Sequence, residues 1–223
     1  MTAITARTKA GARDYRRMTR AELVDLSRLL HSFTDEQWDA PSLCEGWKVR
    51  HVLGHMCMGS TTSPLAMPFL LVPYRFNIDR ASSEESYKYG ESHTPEQLLD
   101  TFDRVVVAHP KPGLGKLAPA KEWFVDKLIH NQDVRRPQGL TRDIPEEHLV
   151  AALDVLPSLG GFVKSNRVCK GLRFTATDVG HTVGDGPDVR GPAESLVLAM
   201  SGRAVDLPKL EGDGVETLRG RIT

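Results

Sequence analysis

Apolar residues recur at helical spacing in four segments within the first two thirds of the chain. The four segments are residues 19–33, 42–59, 93–110 and 122–139. Each is long enough to bury one apolar stripe against its neighbours, and the last three end at glycine or proline. Four helices with longish connections are typical of a four-helix bundle, so the pattern predicts a bundle for this part of the chain.

Capping residues predict where two of these helices begin. Thr19, followed three residues later by Glu22, is a capping-box pattern and predicts the start of the first helix. Thr94 followed by Pro95 predicts the start of the third, because proline is favoured at the first helical position. Pro110 predicts its end.

The pattern changes after Gly139. Four later segments predict a helix, short strands with glycine-rich turns, a second helix, and a turn with a closing strand: residues 145–159, 171–191, 191–204 and 210–222. We therefore predict two domains. A helical bundle occupies residues 1–142, and a small α+β domain occupies residues 143–223.

Composition excludes several function classes. Lysine plus arginine and aspartate plus glutamate both number 29, so the net charge is zero and no nucleic-acid partner is expected. Residues 1–17 lack the apolar core of a signal peptide, and the longest apolar run, residues 65–74, is too short to span a bilayer. The three cysteines, Cys44, Cys57 and Cys169, are scattered. We therefore expect neither a disulfide framework nor a thiolate zinc site, but a cytoplasmic protein without membrane contact.

The segment 122–139 carries polar residues that a packed helix buries only at a cost. Asp126 and His130 lie four residues apart, so they share one helix face and can reach one ion together. His55, in the segment 42–59, can supply a third ligand, with His51 one turn before it. Three protein ligands with one open position are typical of a catalytic zinc site.

The residues alone leave other interpretations open. An Asp-x-x-x-His pair on a helix is more often a solvated ion pair, and His55 alone is more often a hydrogen-bonded histidine near a core. Glu122, one turn before Asp126, can belong to such a site or to the surface. Cys44 and Cys57 flank His55, but free cysteines are most often small buried hydrophobic residues.

Several stretches together resemble the mycothiol-dependent maleylpyruvate isomerase family. They are EQWDAPSLCEGWKVRHVLGHM at residues 36–56, DKLIHNQDVRRPQG at 126–139, VGDGPDVRGPAESLVLAMSGRA at 183–204 and LEGDG at 210–214. The resemblance implies a DinB-like metal-binding four-helix bundle followed by a C-terminal α+β domain similar to sterol-carrier units. It also implies a divalent metal, with zinc expected, held by His55, Asp126 and His130, and mycothiol as cofactor.

The chain departs from the family pattern at three positions. His51 stands where the family usually has aspartate. Asp126 stands where the maleylpyruvate isomerases carry glutamate, and His181 stands where tryptophan is common. The resemblance therefore predicts the fold and the metal ligands, but it does not predict which substrate the protein takes.

The resemblance implies that a metal-bound mycothiol thiolate attacks an electrophilic carbon of a small molecule. In an isomerase the thiolate adds to a conjugated cis double bond and leaves again, and in a transferase it stays attached. Arg203, and after it Arg190, are candidate catalytic residues that clamp a substrate carboxylate through the planar guanidinium.

Two other function classes stay open. A hydrolase, or another lyase or isomerase, would use metal-activated water on the same scaffold, with His51 or Glu122 as general base. A non-catalytic small-molecule-binding protein would use the fold alone. For the thiol-dependent enzyme that the resemblance implies, the expected partners are an electrophilic small molecule and a low-molecular-weight thiol. The chain is expected to be a monomer or homodimer.

Overall fold

The computed structural model describes residues 10–109, 111–160 and 164–222, so the helix end predicted at Pro110 lies outside the described residues. The N-terminal helices are α1 (Ala12–Leu30), α2 (Asp35–Trp38), α3 (Val49–Thr61), α4 (Met67–Leu71), α5 (Ile78–Ser92), α6 (Pro95–Thr101), its π-helical continuation (Phe102–Val107) and α7 (Ala120–Arg135). The C-terminal elements are α8 (Glu146–Val155), α9 (Ser165–Cys169), β1 (Arg173–Ala176), β2 (His181–Gly184), β3 (Asp188–Gly191), α10 (Ala193–Met200) and α11 (Val215–Ile222). Short 3₁₀ turns cover Pro64–Ala66, Val72–Tyr74, Gly113–Leu117, Arg136–Gln138, Leu156–Ser158 and Leu207–Lys209.

Four helices close a bundle. Helix α1 packs on α7, α7 on α3, α3 on α6 and its π-helical continuation, and that continuation packs back on α1. The interior is apolar and includes Leu26, Leu30, Val52, Leu53 and Phe102, all fully buried. This confirms the bundle that the four periodic segments predict.

The predicted start of the first helix is wrong. Helix α1 begins at Ala12, and both Thr19 and Glu22 are buried within it. The Thr19 hydroxyl donates to the carbonyl of Tyr15 at 2.7 Å, which is how a threonine inside a helix satisfies its side chain. The Thr-x-x-Glu pattern therefore serves packing here and not capping, because the preceding residues continue the helix.

The predicted start of the third helix is confirmed. The Thr94 hydroxyl accepts from the backbone N–H of Gln97 at 3.3 Å, and the Gln97 side chain accepts from the backbone N–H of Thr94 at 2.9 Å. Pro95 occupies the first helical position. The two reciprocal bonds form a capping box, which fixes the direction of α6.

Helix α5 lies against α3 at unusually close range because two glycines face each other. A Cβ on Gly54 would lie 2.7 Å from the backbone of Gly90 and of Ser86. A Cβ on Gly90 would lie 2.8 Å from the carbonyl of Arg50. The close approach brings the α5 side chains to the part of α3 that carries His55.

The C-terminal part is the predicted small α+β unit. Its strands have the order β2-β1-β3, with β1 antiparallel to β2 and parallel to β3. The closing strand predicted within residues 210–222 is wrong: Glu211 forms only an isolated bridge with Arg190, and Val215–Ile222 is helix α11. Gly214 and the turn before it place apolar Val215 and Leu218 at helical spacing against the core.

Helix α7 joins the two parts of the molecule. Its apolar residues Phe124, Val125 and Leu128 belong to the same buried cluster as Phe174 of β1 and Leu196 of α10. The domain boundary predicted between residues 142 and 143 falls between α7 and α8 and remains a prediction. The shared cluster fixes α7 from the C-terminal side, while α3 holds it from the bundle side.

Candidate metal centre and adjoining cavity

The structure brings His55, Asp126 and His130 together. One ligand atom from each, the imidazole nitrogens and a carboxylate oxygen, lies within 4.8 Å of the other two. Asp126 and His130 share a face of α7, as their spacing predicts, and His55 comes from α3. The rings of His55 and His130 meet edge to face, with centroids 5.0 Å apart.

His55 is held from the α5 side. Its Nδ1 lies 3.0 Å from the hydroxyl of Ser86, a residue that the Gly54–Gly90 contact brings close. Desolvation by the surrounding protein, with repulsion from His130, lowers the pKa of His55 to about 3. The imidazole is therefore neutral at physiological pH, which is the form that ligates metal ions.

Asp126 is held mainly through its Oδ2 atom. Its Oδ2 accepts from Nζ of Lys127 at 2.7 Å, and its Oδ1 lies 3.4 Å from Nε2 of His130. Although burial opposes ionisation, the charges of Lys127 and His130 hold the pKa of Asp126 well below its ordinary value. The carboxylate is therefore ionised, with Oδ1 directed to the two histidines.

His130 is oriented by a carboxylate behind it. Its Nδ1 lies 2.9 Å from Oδ2 of Asp133, which is fully buried. Arg203 donates to both oxygens of Asp133, from Nε at 3.0 Å and from Nη2 at 2.7 Å, and the Cys44 thiol donates to Oδ2 at 3.2 Å. A carboxylate on the far nitrogen of a ligating histidine fixes the ring and its tautomer, which leaves Nε2 to face Asp126 and His55.

These contacts set the charges of Asp133 and His130. Despite desolvation, the Arg203 guanidinium and the His130 ring hold the pKa of Asp133 below its ordinary value. Desolvation alone would lower the pKa of His130, but Asp126 and Asp133 raise it well above that of a free imidazole. Binding of a cation at Nε2 of His130 would therefore release a proton.

Arg203 and Arg190 occupy different places. Arg203 lines the cavity, but Asp133 holds it, and its Nη1 donates to the carbonyl of Ser201 at 2.8 Å. Arg190 lies on β3, half exposed, with Nε 3.7 Å from Asp188. The structure does not bring Arg190 to the cavity.

His51 caps helix α3 and lies outside the cavity lining. Its Nδ1 accepts from the backbone N–H of Lys48 at 3.0 Å, and its Nε2 lies 2.7 Å from Glu91 of α5. A ring nitrogen thus takes the acceptor position that a carboxylate commonly fills near a helix start. Glu122, in contrast, does line the cavity.

Sequence reasoning missed Asp133, Lys127 and Ser86. The spacing of Asp133, three residues after His130, places it on the same helix face and could have identified it. Lys127 and Ser86 carry no such signal. One is the neighbour of a candidate ligand, and the other reaches the site only through the packing of two helices.

The candidate ligands lie in the wall of a cavity of about 660 Å³. Its buried lining is mostly apolar and includes Met56, Met58, Leu71, Ile129 and Leu159. Its exposed lining carries polar side chains, namely Glu45, Asp79, Ser83 and Lys164. The arrangement is typical of a ligand site with few polar groups on a mostly apolar surface.

A helical bundle with a partly buried His–Asp–His cluster, joined to a small α+β unit, defines the class of a candidate metal-dependent enzyme. Residues 19–112 match the family model described as the mycothiol maleylpyruvate isomerase N-terminal domain. This match, over a little under half of the chain, agrees with the family resemblance that the motifs carry. The match includes His55 and ends before α7.

Two crystal structures of a mycothiol-dependent maleylpyruvate isomerase share the fold. The chain is 17% identical to one, with a TM-score of 0.61, and 16% identical to the other, a variant with one histidine replaced by alanine, with a TM-score of 0.62. Both matches cover 93% of this chain and 96% of the other. None of the curated proteins compared with the chain matches it. Among the described residues, no helix is both long and apolar enough to cross a membrane.

Proposed function

We propose that the protein is a metal-dependent enzyme in which a low-molecular-weight thiol, mycothiol by analogy with its structural relatives, attacks an electrophilic small molecule. The observation that supports this most directly is the convergence of His55, Asp126 and His130 at the cavity wall. Isomerisation and thiol transfer share the attack of the thiolate, and either reaction fits the site.

The donor set suits a divalent ion such as zinc. Two imidazole nitrogens and one carboxylate oxygen are ligands that zinc prefers. The remaining polar atoms of the same side chains already have protein partners: Ser86 on His55, Lys127 on Asp126 and Asp133 on His130. A bound divalent ion would lower the pKa of a thiol at its open position, so that the thiolate forms at neutral pH.

The protein groups around the ligands prepare the site. Asp133 and Ser86 fix the two rings, and Arg203 holds Asp133 through two hydrogen bonds. We therefore assign Arg203 to positioning Asp133 and, through it, His130. The apolar wall excludes water, which strengthens every charge interaction at the site.

The mouth of the cavity fits a hydroxyl-rich thiol. Glu45, Asp79, Ser83 and Lys164 are exposed there and offer both donors and acceptors. These side chains would hold the polar part of the cofactor, and its sulfur would then lie toward the inner wall. Mycothiol itself comes from the relatives' printed names and is part of the proposal.

A metal-dependent hydrolase is the second candidate. Glu122 lies one turn before Asp126 and lines the cavity, so it can act as a general base toward water. His51 loses that candidacy, because its two ring nitrogens contact Lys48 and Glu91. Dependence on added thiol separates the two functions.

The deciding experiment measures the metal content of purified wild type, His130→Ala, His55→Ala and the control His31→Ala. His31 is an exposed histidine paired with Asp103, away from the cavity. We expect about one divalent ion per chain in wild type and control, and little in the other two. Wild type should then consume an activated aryl halide or isomerise a cis-conjugated keto acid only with added thiol.

Two outcomes would count against the proposal. A wild type that binds no metal, even after the ion is supplied, contradicts the metal centre. A metal-loaded protein that turns over ester or amide substrates without thiol, and is inactivated by Glu122→Gln, supports the hydrolase instead.

A further inference from the structure

Lys127 is a buried cation in the cavity wall. Only 2% of the residue is exposed. Its Nζ donates to Asp126 at 2.7 Å and lies 3.9 Å from the ring centroid of Trp123. Within the described part of the chain, Asp126 is its hydrogen-bond partner, although an ammonium carries three donors. A buried ammonium with donors to spare is costly unless a further acceptor reaches it.

The other cations of the described lining are already engaged. Arg203 donates to both oxygens of Asp133, and the His130 ring contacts Asp126 and Asp133. Lys164 pairs with Asp79 at the mouth, where about half of each side chain is exposed. Lys127 is therefore the buried cation of this lining that keeps donors for a ligand.

A ligand with a second carboxylate, besides the one that Lys127 binds, would place it against acidic or apolar side chains. The lining includes the acidic side chains Glu45, Asp79 and Glu122, besides the candidate ligand Asp126. Apart from Lys127 and His130, the buried wall is apolar and includes Met56, Ile129 and Leu159. A carboxylate there would lose its hydration without gaining a partner.

The apolar surface continues outward from the buried wall. Ile78 and Leu117 line the cavity and remain 39% and 60% exposed. Such a strip favours a ligand whose body is apolar over several carbon atoms, because removing that surface from water is favourable. Polar recognition is then concentrated at the end of the cavity that holds Lys127.

We propose that the cavity takes an electrophile with an extended apolar body and a single carboxylate or carbonyl oxygen, which Lys127 binds. This inference rests on the proposed function and names the substrate class of that same site. Lys127 places the polar end beside Asp126 and the candidate ligands, and the body lies along the methionine and leucine side chains. Small dicarboxylates are disfavoured.

The test uses unreactive ligands of matched length on the full chain, both zinc-loaded and metal-free. The metal-free chain is needed because the open position of the ion could itself bind a carboxylate. Octanoate, its neutral amide octanamide and the dicarboxylate suberate are titrated by calorimetry. Octanoate should bind at least about tenfold more tightly than either of the others, the factor that one hydrogen bond to a charged group contributes. Lys127→Met should remove the preference for octanoate over octanamide. Lys116→Met, at an exposed lysine outside the cavity lining, should keep it.

Three results would overturn the inference: no binding of octanoate, equal binding of octanoate and suberate, or an unchanged preference in Lys127→Met. Thermal melting detects whether Lys127→Met folds. If it does not, the comparison of the three ligands on the wild type still tests the predicted ligand class. Ligand binding needs neither thiol nor turnover. If the protein prefers octanoate but shows no thiol-dependent chemistry, only the proposed function is overturned. If it turns over dicarboxylates in a thiol-dependent reaction, only this inference is overturned.

Discussion

Two largely buried polar clusters meet on helix α7, and they differ in how their charges are satisfied. The His130 cluster, formed by His55, Asp126, His130 and Asp133, lies at the cavity. The Glu22 cluster lies between α1, α7 and the C-terminal part and consists of Glu22, Asp25, Asn131, Arg135, Arg142 and His148. Both remove charges from water, at a cost that only good partners offset.

The Glu22 cluster is closed by protein groups. Oε1 of Glu22 lies 2.6 Å from Nδ1 of His148, and its Oε2 accepts from Arg142 and, at 3.1 Å, from Asn131. Asp25 accepts from Arg135 at 2.7 Å. Each carboxylate therefore meets cations or amides of the chain itself.

In the His130 cluster, protein partners satisfy only the atoms that face away from the cavity. Ser86, Lys127 and Asp133 hold the far atoms of the three candidate ligands, while the near atoms converge on one another beside a cavity. A buried polar group that the chain satisfies supports the fold. Donor atoms that converge at a cavity indicate a ligand, and this difference separates structural from functional polar burial.

The largest expected effect is on the closed cluster. Glu22→Ala leaves Arg142 and His148 without their carboxylate, so the free energy of unfolding should fall by about 3–5 kcal/mol. Thermal or urea unfolding measures the loss, and metal bound per folded molecule should stay at the wild-type level. Glu147→Ala is the control, because its ion pair with Arg17 also joins α1 to α8 but is half exposed, and it should cost less than about 1 kcal/mol.

A comparable loss in both variants would break the distinction between the buried and the exposed pair. A loss of metal affinity in Glu22→Ala, measured on protein that is still folded, would show that the two clusters are coupled through α7.

Asp133→Asn should weaken metal binding about 10–100-fold, since it removes the carboxylate that orients His130. Competition with a chromophoric chelator gives the affinity. Glu194→Gln is the matched control: this carboxylate also contacts α7, by accepting from Gln132 at 2.6 Å, but lies away from the candidate ligands. Equal affinities in wild type and Asp133→Asn would contradict the role given to Asp133.

Ser86→Ala tests the contact from α5. Loss of the hydroxyl beside Nδ1 of His55 should lower metal affinity by about tenfold, the low end for a group that orients a ligand, and stability by about 1 kcal/mol. Ser82→Ala, one turn earlier on α5 and also in the cavity lining, should leave both quantities close to wild type. If the two variants bind metal alike, His55 does not depend on α5.

The smallest expected effect is a difference in alkylation rate among the cysteines, which reports on solvent access to the cavity beside the His130 cluster. Burial raises the pKa of Cys57 and of Cys169 to about 12, so at pH 8 only about one thiol in ten thousand is ionised. Cys44 lines the cavity and contacts Asp133. Alkylation of the native protein followed by mass spectrometry should modify Cys44 first, and early modification of Cys57 would contradict the closed bundle interior.

The sequence by itself determined what depends on neighbours along the chain. The four-residue spacing of Asp126 and His130 fixes them on one helix face, and Thr94 with Pro95 fixes the start of α6. The alternation in residues 171–191 predicts the three short strands that form the sheet. These features follow from helical and strand geometry, which local sequence sets directly.

Only the tertiary structure decided which distant groups complete the site. Ser86 reaches His55 because two glycines let α3 and α5 touch, and Arg203 reaches Asp133 because the C-terminal part packs on α7. Glu22, which resembles a capping residue in the sequence, is instead the centre of a buried cluster. Contacts between elements depend on the packing of whole surfaces, and no local spacing encodes them.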